Sequence, residues 1–378
     1  TELLPGNPIQ QTITPGYYLI VDTASGRQDD LVTGYIRNVC VLKVVNPGNL
    51  LIKVKVKQPT LTNQMIVADS QTGDSKTEDW EDTVDYAMNE TFQFKLTATI
   101  PAETRIENYP AYRLALYYRW SDGITFEDIE SIKLNGQVVT QGTAPSSANV
   151  QEFKPTNEAD PKMAISIEDI KPLITQSGWN GEPINFEVIC NVHLNETAKS
   201  TVPNKEESTD AEENKAWCLY SNNPDVGVTG ELTEGITPYY SSWAFTYTMP
   251  NKKVDGKEEP LKGAKFHVYK LNPDGSRKAK VSFAKNSEGY YYPINSQKNA
   301  VNLVSLPETG DFSIKGLSAG TYEFEEFEVP LGYNKEKTSP FVTITDSGSD
   351  DVVKHHTTPT GASVTAKRLV GCTDAPLH

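Results

Sequence analysis

The chain has 378 residues, which predicts two or three domains of roughly 100–200 residues each. With 35 Lys and Arg against 50 Asp and Glu, the net charge is -15, a poor electrostatic match for nucleic acid or an anionic membrane. No stretch approaches the roughly 18 apolar residues of a membrane span, and four Cys are too few for a disulfide-framework scaffold. Five His without ligand spacing predict no metal site, and no cofactor motif occurs.

Alternation of apolar and polar residues is the main structural signal. It runs through residues 50–58, 92–100, 184–194 and 341–345, which are rich in Val, Ile, Thr and Phe and are bounded by turn residues. Helical periodicity is scarce, and one short helix is predicted within residues 164–174. The pattern predicts an all-β chain built from tandem immunoglobulin-like antiparallel β-sandwich domains.

Changes in composition divide the chain into three parts. Strand alternation gives way to Pro and Thr near residue 58, and a new run of strands begins near residue 248. These breaks predict the remainder of an N-terminal domain at 1–57, a middle sandwich at 58–248 and a C-terminal sandwich at 249–378. Within the middle part, the polar and acidic residues 200–215 are predicted to form a long exposed loop.

Two motifs in the C-terminal third occur in a specific order. Residues 253–270, KVDGKEEPLKGAKFHVYK, contain a Lys and an Asp before a turn and then L-x-G-A-x-F-x-x-Y. Residues 317–333, LSAGTYEFEEFEVPLGY, combine a Tyr, a Glu four positions later and a closing P-x-G-Y. On these motifs the C-terminal third resembles the collagen-adhesin B-type (Cna-B-like) domain of Gram-positive surface proteins and pilins.

Shorter segments carry a weaker resemblance in the middle part. PTLT at 59–62, WEDTVDYAMNETFQFKLTATIP at 80–101 and YSNNP at 220–224 resemble the second domain of sortase-assembled shaft pilins. PGYYLIVD at 15–22 is similar to the end of the domain that precedes it in such pilins. The resemblance implies an extracellular protein, anchored to the cell wall as part of a pilus or the surface.

The resemblance also implies a self-catalysed internal amide between a Lys and an Asn or Asp, assisted by a buried carboxyl group. In general, burial lowers the pKa of a lysine and raises that of a glutamate, so the amine becomes nucleophilic and the acid can polarise the acceptor. Motif register places the amine on Lys253 and the assisting carboxyl on Glu326. The acceptor stays unassigned, with Asp346, Asp351 and Asp374 as weak candidates.

The middle part departs from the family pattern at the cross-link positions. The family Lys after P-T-x-T is here Asn63, and the family Asp aligns with Tyr118. The candidate acceptor Asn222 is left without a visible nucleophile. No cross-link is therefore predicted in this domain.

Two cysteines lie in strand-like runs on either side of the acidic loop. If these runs are antiparallel neighbours, Cys190 and Cys218 can meet the Cβ spacing that a disulfide requires. The other interpretation is two buried, inert thiols, which is a common state for Cys. Both alternatives stay open at this point.

The string LPETG at 306–310 matches the pattern that sortases recognise. No apolar span or basic tail follows it, so the match is interpreted as coincidental, and an anchoring signal is expected beyond residue 378. The five Trp lie mostly in strand-like runs, which favours core packing over an exposed binding patch.

Three functional hypotheses fit these features to different degrees. The first is a structural pilin subunit, in the shaft or accessory to it, joined to other pilin subunits by a sortase and acting mechanically. The alternative is a surface adhesin that binds a host matrix protein or glycan through the middle domain. A carbohydrate-active enzyme is the third, but no carboxylate pair stands in a recognisable setting. The sequence therefore predicts no enzyme beyond self-catalysed amide formation.

Overall fold

The computed structural model describes residues 15–21, 39–45, 59–67, 79–104, 106–157, 160–200, 211–221, 234–237, 239–306, 308–335, 339–345 and 363–365. A small sheet near the start of the chain pairs β1 (Gly16–Val21) antiparallel with β2 (Val39–Val44). The remaining strands form a middle sandwich and a C-terminal sandwich. Among the described residues, no helix is long and apolar enough to cross a membrane.

The middle sandwich consists of two facing sheets. Its strands, in chain order, are β3 (Thr60–Ile66), β4 (Trp80–Glu81), β5 (Thr83–Asp85), β6 (Thr91–Ile100), β7 (Leu114–Trp120), β8 (Ile124–Leu134), β9 (Gln137–Val138), β10 (Asn149–Glu152), β11 (Met163–Ile167), β12 (Ile184–Leu194), β13 (Glu212–Ser221), β14 (Glu234–Ile236) and β15 (Tyr240–Phe245). One sheet has the order β4-β3-β6-β12-β8-β9. The other has the order β10-β11-β7-β13-β15-β5, with β14 on β13.

The C-terminal sandwich is a nine-stranded arrangement. Its strands are β16 (Tyr247–Lys252), β17 (Lys265–Leu271), β18 (Arg277–Lys285), β19 (Tyr291–Ile294), β20 (Leu303–Val304), β21 (Asp311–Leu317), β22 (Gly320–Glu328), β23 (Phe341–Thr345) and β24 (Ser363–Thr365). The order is β16-β21-β19-β18-β17-β22-β23-β24, with β20 on β17. The pairs β5–β15 and β19–β21 are parallel, and the other strand pairs described are antiparallel.

The predicted fold class is confirmed, and so are the strands predicted at 92–100, 184–194 and 341–345, which are β6, β12 and β23. The predicted strand at 50–58 lies outside the described residues. The helix is shorter and later than predicted: α1 runs over Lys171–Gln176, while the preceding segment is the buried strand β11. Pro172 lies in the first turn of α1, where a missing N–H costs little. Three short 3₁₀ turns occur at Ala102–Thr104, Ile106–Asn108 and Gln297–Asn299.

Two hydrophobic cores follow one another along the chain. Strict alternation in β6 and β12 turns every second side chain inward, and this row forms the centre of the first core. The first core extends from Leu61 to Ala244, and the second from Phe245 to Ile344. The change of core therefore falls at residues 244 and 245, close to the predicted boundary at 248; the predicted limits of the three parts stay predictions.

The acidic segment at 200–215 is shorter as a loop than predicted. Residues 201–210 lie outside the described residues, but β13 already begins at Glu212. The side chains of Glu212 and Asn214 are buried, and Glu212 accepts hydrogen bonds from the Ser121 hydroxyl and from the backbone N–H of Lys199. The prediction was wrong for this part because polar side chains with buried hydrogen-bond partners can occupy inward strand positions.

The segment after β5 joins the two sandwiches. The backbone N–H of Met88 donates to the carbonyl oxygen of Gly316 at 2.9 Å, and the Asn89 side chain donates to the carbonyl oxygen of Pro293 at 2.7 Å. The buried carboxylate of Asp85 accepts the backbone N–H of Ala319. These contacts cover the side of the C-terminal sandwich that faces the middle sandwich.

Charge is also buried at this junction. The amine of Lys270 donates to the hydroxyl of Ser318 at 2.8 Å. Burial lowers the pKa of Lys270, and the nearby carboxylates of Glu90 and Asp85 oppose that shift. The middle sandwich thus supplies the negative charge that faces a partly buried lysine of the C-terminal sandwich.

A substitution of Gly316 can test the packing at this junction. Its φ of +95° and a virtual Cβ only 2.5 Å from the Met88 side chain both require glycine. Gly289 has a similar φ of +92° with nothing near its virtual Cβ. We expect both Gly→Ala variants to lose about 1 kcal/mol from the backbone conformation. Gly316→Ala should lose a further ~1–3 kcal/mol from overpacking.

The measurement is the free energy of unfolding from urea titrations of the full chain, with Gly289→Ala as the control. Equal losses for the two variants would contradict the close packing of Met88 on Gly316.

Candidate cross-link sites

Lys253 directly follows β16, and its backbone is held from two directions. Its N–H donates to the carbonyl oxygen of Gly310 at 2.9 Å, and its carbonyl oxygen accepts the N–H of Leu261 at 3.0 Å. Gly310 has φ +69°, and a Cβ there would lie 2.2 Å from the carbonyl oxygen of Lys253. The close approach requires glycine, and it fixes the backbone from which the lysine side chain extends.

Glu326 reaches the same place from β22. In that strand Tyr322, Phe324 and Glu326 alternate inward, so the carboxylate continues a row of core side chains. Phe266 of β17 pairs opposite Glu326, next to a register shift at Lys265. The alternation that makes β22 a strand therefore also buries this acid.

The structure brings the two predicted residues together. The Nζ of Lys253 lies 3.2 Å from the Oε2 of Glu326, and the residues are only 2% and 5% exposed. Taking two charges out of water costs several kcal/mol per ion, so the pair persists only because each compensates the other. This arrangement allows a proton to pass from the ammonium to the carboxylate, leaving a neutral amine beside a neutral acid.

The acceptor candidates Asp346, Asp351 and Asp374 all lie outside the described residues. Among the described residues, Glu326 is the side chain that pairs with the amine of Lys253. The placement of an acceptor stays a prediction.

In the middle sandwich, an uncharged cluster of side chains occupies Asn63 and Tyr118, the positions predicted from the family pattern to carry a cross-link. The Nδ2 of Asn63 donates to the carbonyl oxygens of Asn214, at 2.8 Å, and of Tyr240, at 3.2 Å. In return, the Nδ2 of Asn214 donates to the Oδ1 of Asn63 at 2.9 Å and to the hydroxyl of Ser242 at 3.2 Å. Because β3 belongs to one sheet and β13 and β15 to the other, this Asn pair joins the two sheets.

Tyr118 of β7 completes this cluster. Burial raises its pKa well above the usual value, the nearby Cys190 adds to the rise, and the neighbouring polar side chain of Asn214 opposes it. The residue beside Asn63 and Tyr118 is thus Asn214, whereas the predicted Asn222 lies outside the described residues. The sequence does carry a signal for Asn214, because it is a polar residue at an inward position of the alternating run 212–220.

Cys190 and Cys218 are buried thiols and form no disulfide with each other. The premise of a disulfide was wrong, because the two strands are not neighbours: β12 pairs with β6 and β8, while β13 lies in the facing sheet beside β7 and β15. Burial, aided by Asp128, raises the pKa of Cys190 to about 12, and the Cys218 thiol donates to the carbonyl oxygen of Leu219. A thiol with such a pKa is inert at neutral pH.

A row of aromatic rings lies on the outer face of the seven-stranded sheet. Tyr117 and Trp217 pair across β7 and β13, with ring centroids 5.6 Å apart and nearly parallel planes. Phe153 stacks beyond Tyr117, and Tyr239 meets Trp217 edge-on at 5.1 Å. Trp217 is buried, in line with the expectation of core packing, although it lies outside the two main hydrophobic clusters, and Tyr239 is 53% exposed.

Comparison with known proteins adds information about the fold. Residues 248–358 match the family described as SpaA: prealbumin-like fold domain. The 35 kDa C-terminal fragment of the major pilin GBS80 of Streptococcus agalactiae is similar with a TM-score of 0.54 and 19% identity, over 82% of this chain and 97% of that one. The T6 backbone pilin of serotype M6 Streptococcus pyogenes is similar with a TM-score of 0.50 and 18% identity, over 83% and 59%. The comparison with curated proteins gives no match.

These similarities confirm the resemblance of the C-terminal third and the tandem-sandwich fold. Both solved structures are less than 25% identical to this chain, so the shared property is the fold.

The hydrogen bonds between Asn63 and Asn214 yield a prediction about stability. Asn63→Leu keeps the size of the side chain but removes two buried hydrogen bonds to Asn214 and a partly buried one to Tyr240, and we expect a loss of about 1–3 kcal/mol. The matched control is Gln64→Leu, because its side chain makes one hydrogen bond, to Trp80, on the partly exposed side of the strand. Urea unfolding of the full chain measures both losses. Similar losses in the two variants would show that the Asn pair does not hold the sheets together.

Proposed function

We propose that the chain is a structural subunit of a Gram-positive cell-surface pilus, in the shaft or accessory to it. The observation that carries this proposal is the buried Lys253–Glu326 pair inside a domain that matches the SpaA prealbumin-like family. The tandem-sandwich fold shared with pilin structures supports it. On this proposal the protein is extracellular and anchored to the cell wall, and a sortase joins it to other pilin subunits.

The function is mechanical. Antiparallel ladders such as β12 with β6 and β8 extend over about ten residue pairs, so many hydrogen bonds must break together when the chain is pulled. The buried residues of the 85–90 segment tie the two sandwiches to each other. A covalent bond from Lys253 to the last part of the chain would prevent the C-terminal sandwich from being stretched when the chain is pulled.

The proposed bond forms between the Nζ of Lys253 and the side-chain Cγ of Asp346, Asp351 or Asp374. A proton first moves from the ammonium of Lys253 to the carboxylate of Glu326, which gives a neutral amine. The amine attacks the Cγ of the aspartate and the new C–N bond forms; the second proton of the nitrogen passes to the leaving oxygen, the C–O bond breaks, and one water leaves. Glu326 donates a hydrogen bond to the acceptor oxygen and returns the proton to the leaving group. The fixed position of both residues lowers the entropic barrier.

The intact mass of the denatured, reduced protein tests this chemistry. We expect a mass one water below that of the sequence, and tryptic mapping should place the missing water on a peptide that joins Lys253 to one of the three Asp. Lys253→Ala and Glu326→Ala should show no deficit relative to their own sequences. Lys252→Ala is the control, because this neighbouring lysine is only partly buried and should leave the deficit unchanged. If the native chain has the unmodified mass, no amide has formed, and the adhesin hypothesis is then favoured over the pilus-subunit hypothesis.

The second candidate is a surface adhesin that binds a host matrix protein or glycan through the middle sandwich. The row of Phe153, Tyr117, Trp217 and Tyr239 favours it, because Tyr and Trp are enriched in binding surfaces. It lies on the outer face of the sheet, and Tyr239 is the accessible end of the row.

The adhesin hypothesis predicts saturable binding of the monomer to an immobilised matrix protein or glycan. Tyr239→Ala should weaken this binding about tenfold, equivalent to about 1.4 kcal/mol. Tyr17→Ala is the matched control, since Tyr17 is at least as accessible but lies in the separate sheet of β1 and β2. Binding that is absent, or equally weakened by both variants, argues against a ligand at this row.

A further inference from the structure

The sequence contains two Asn-Gly pairs, Asn135–Gly136 and Asn180–Gly181. In such a pair the backbone nitrogen of the glycine can attack the side-chain carbonyl carbon of the asparagine, because glycine has no Cβ to obstruct the approach. The attack also requires the asparagine side chain to turn back over the peptide bond that follows it. An asparagine that hydrogen bonds hold elsewhere therefore reacts slowly, so the tertiary structure decides which pair is reactive.

Asn135 is held at the end of a sheet. It and Gly136 have φ values of +47° and +76°, and together they form the two-residue turn between β8 and β9. The N–H of Asn135 donates to the carbonyl oxygen of Asn185 at 2.8 Å, and the Oδ1 of Asn135 accepts the N–H of Asn185 at 2.8 Å. Rotation of the Asn135 side chain would break its bond to β12, so the folded sheet keeps it away from the nitrogen of Gly136.

Asn180 is held only within its own loop, which connects α1 to β12. Asn180 and Gly181 are both exposed, and Gly181 has φ +89°. The Oδ1 of Asn180 accepts the N–H of Glu182 at 3.3 Å, a longer bond than the usual ~2.9 Å and one that is open to water. Among the hydrogen bonds between described residues, none holds the Nδ2 of Asn180 or the N–H of Gly181. The side chain of Asn180 can therefore turn toward the nitrogen of Gly181 without breaking a contact to another element.

We propose that Asn180 is a site of spontaneous deamidation in the folded protein, whereas Asn135 is protected. Water or a buffer base takes the proton of the Gly181 amide as its nitrogen attacks the Cγ of Asn180. The bond from Cγ to Nδ2 breaks, ammonia leaves, and a five-membered succinimide ring remains. Water then opens the ring: cleavage at Cγ gives Asp with the normal backbone, and cleavage at the main-chain carbonyl carbon gives isoaspartate, whose backbone passes through Cγ.

The reaction changes both the charge and the shape of this loop. Either product carries a carboxylate where the amide was, two positions from Glu182, in a chain whose net charge is already -15. Isoaspartate also lengthens the backbone by one atom inside a turn that Trp179 closes, since its indole N–H donates to the carbonyl oxygen of Glu182 at 2.7 Å. The turn over residues 179–182 must then rearrange. The reaction needs no sortase and no partner subunit, so it is independent of the proposed function.

The test incubates the full chain in heavy-oxygen water at mildly alkaline pH, one sample folded and one unfolded in urea, until the unfolded sample is labelled. Each deamidation introduces one labelled oxygen, and later digestion by trypsin in ordinary water separates the two pairs into residues 134–162 and 163–199. In the unfolded chain both asparagines should be labelled at similar rates, because both precede glycine. In the folded chain Asn180 should keep this rate to within about tenfold, and Asn135 should react at least about a hundredfold more slowly than Asn180, since it requires local opening of the sheet.

Two variants serve as controls. Asn180→Gln should remove the label from this position, because the longer side chain would have to close a six-membered ring. Asn135→Gln should leave the labelling of Asn180 in the folded chain unchanged. Labelling of Asn135 in the folded native chain at the rate of Asn180 would overturn the proposal. So would a folded chain that stays unlabelled at Asn180 over the time in which the unfolded chain is labelled there.

Discussion

The C-terminal sandwich is built around one costly constraint, the burial of a lysine. A charge at the position of Lys253 is stable only with an opposite charge within reach, and Glu326 supplies it at 3.2 Å from an inward position of β22. The backbone must also hold the lysine in place, and it does so through Gly310 and Leu261. The ion pair, the glycine turn and the inward alternation of β22 therefore depend on one another.

The middle sandwich also buries polar side chains between its sheets, but these side chains are uncharged. Its two sheets are joined by Asn63 and Asn214: the Asn214 amide donates to the Oδ1 of Asn63, the Asn63 amide donates to two backbone carbonyl oxygens, and Tyr118 lies beside them. Neutral amides cost less to bury than ions, and the described side chains of this cluster, Asn63, Asn214, Tyr118 and Ser242, include no charged group. The two sandwiches thus contain two different buried polar pairs: an ion pair in the C-terminal sandwich and a hydrogen-bonded Asn pair in the middle sandwich.

The junction between the sandwiches makes the two cores dependent on each other. Met88 is buried against Gly316, and the carboxylate of Asp85 is satisfied by the backbone of Ala319. Separating the sandwiches would expose a buried Met side chain and a buried carboxylate, as well as the amine of Lys270. A load applied along the chain would therefore meet packed and hydrogen-bonded contacts rather than a flexible linker, which suits the mechanical role proposed here.

The sequence by itself determined the all-β class and the strands β6, β12 and β23, and its resemblance to the B-type family pointed to Lys253 and Glu326. Strand alternation is a local property of period two, and the order of the two C-terminal motifs is enough to identify both residues. What only the tertiary structure decided were contacts between distant segments. Asn214 lies 151 positions from Asn63, Cys190 and Cys218 belong to facing sheets, and the carbonyl oxygen of Gly310 accepts the N–H of the distant Lys253. These outcomes depend on which strands become neighbours, and local periodicity carries no information about that choice.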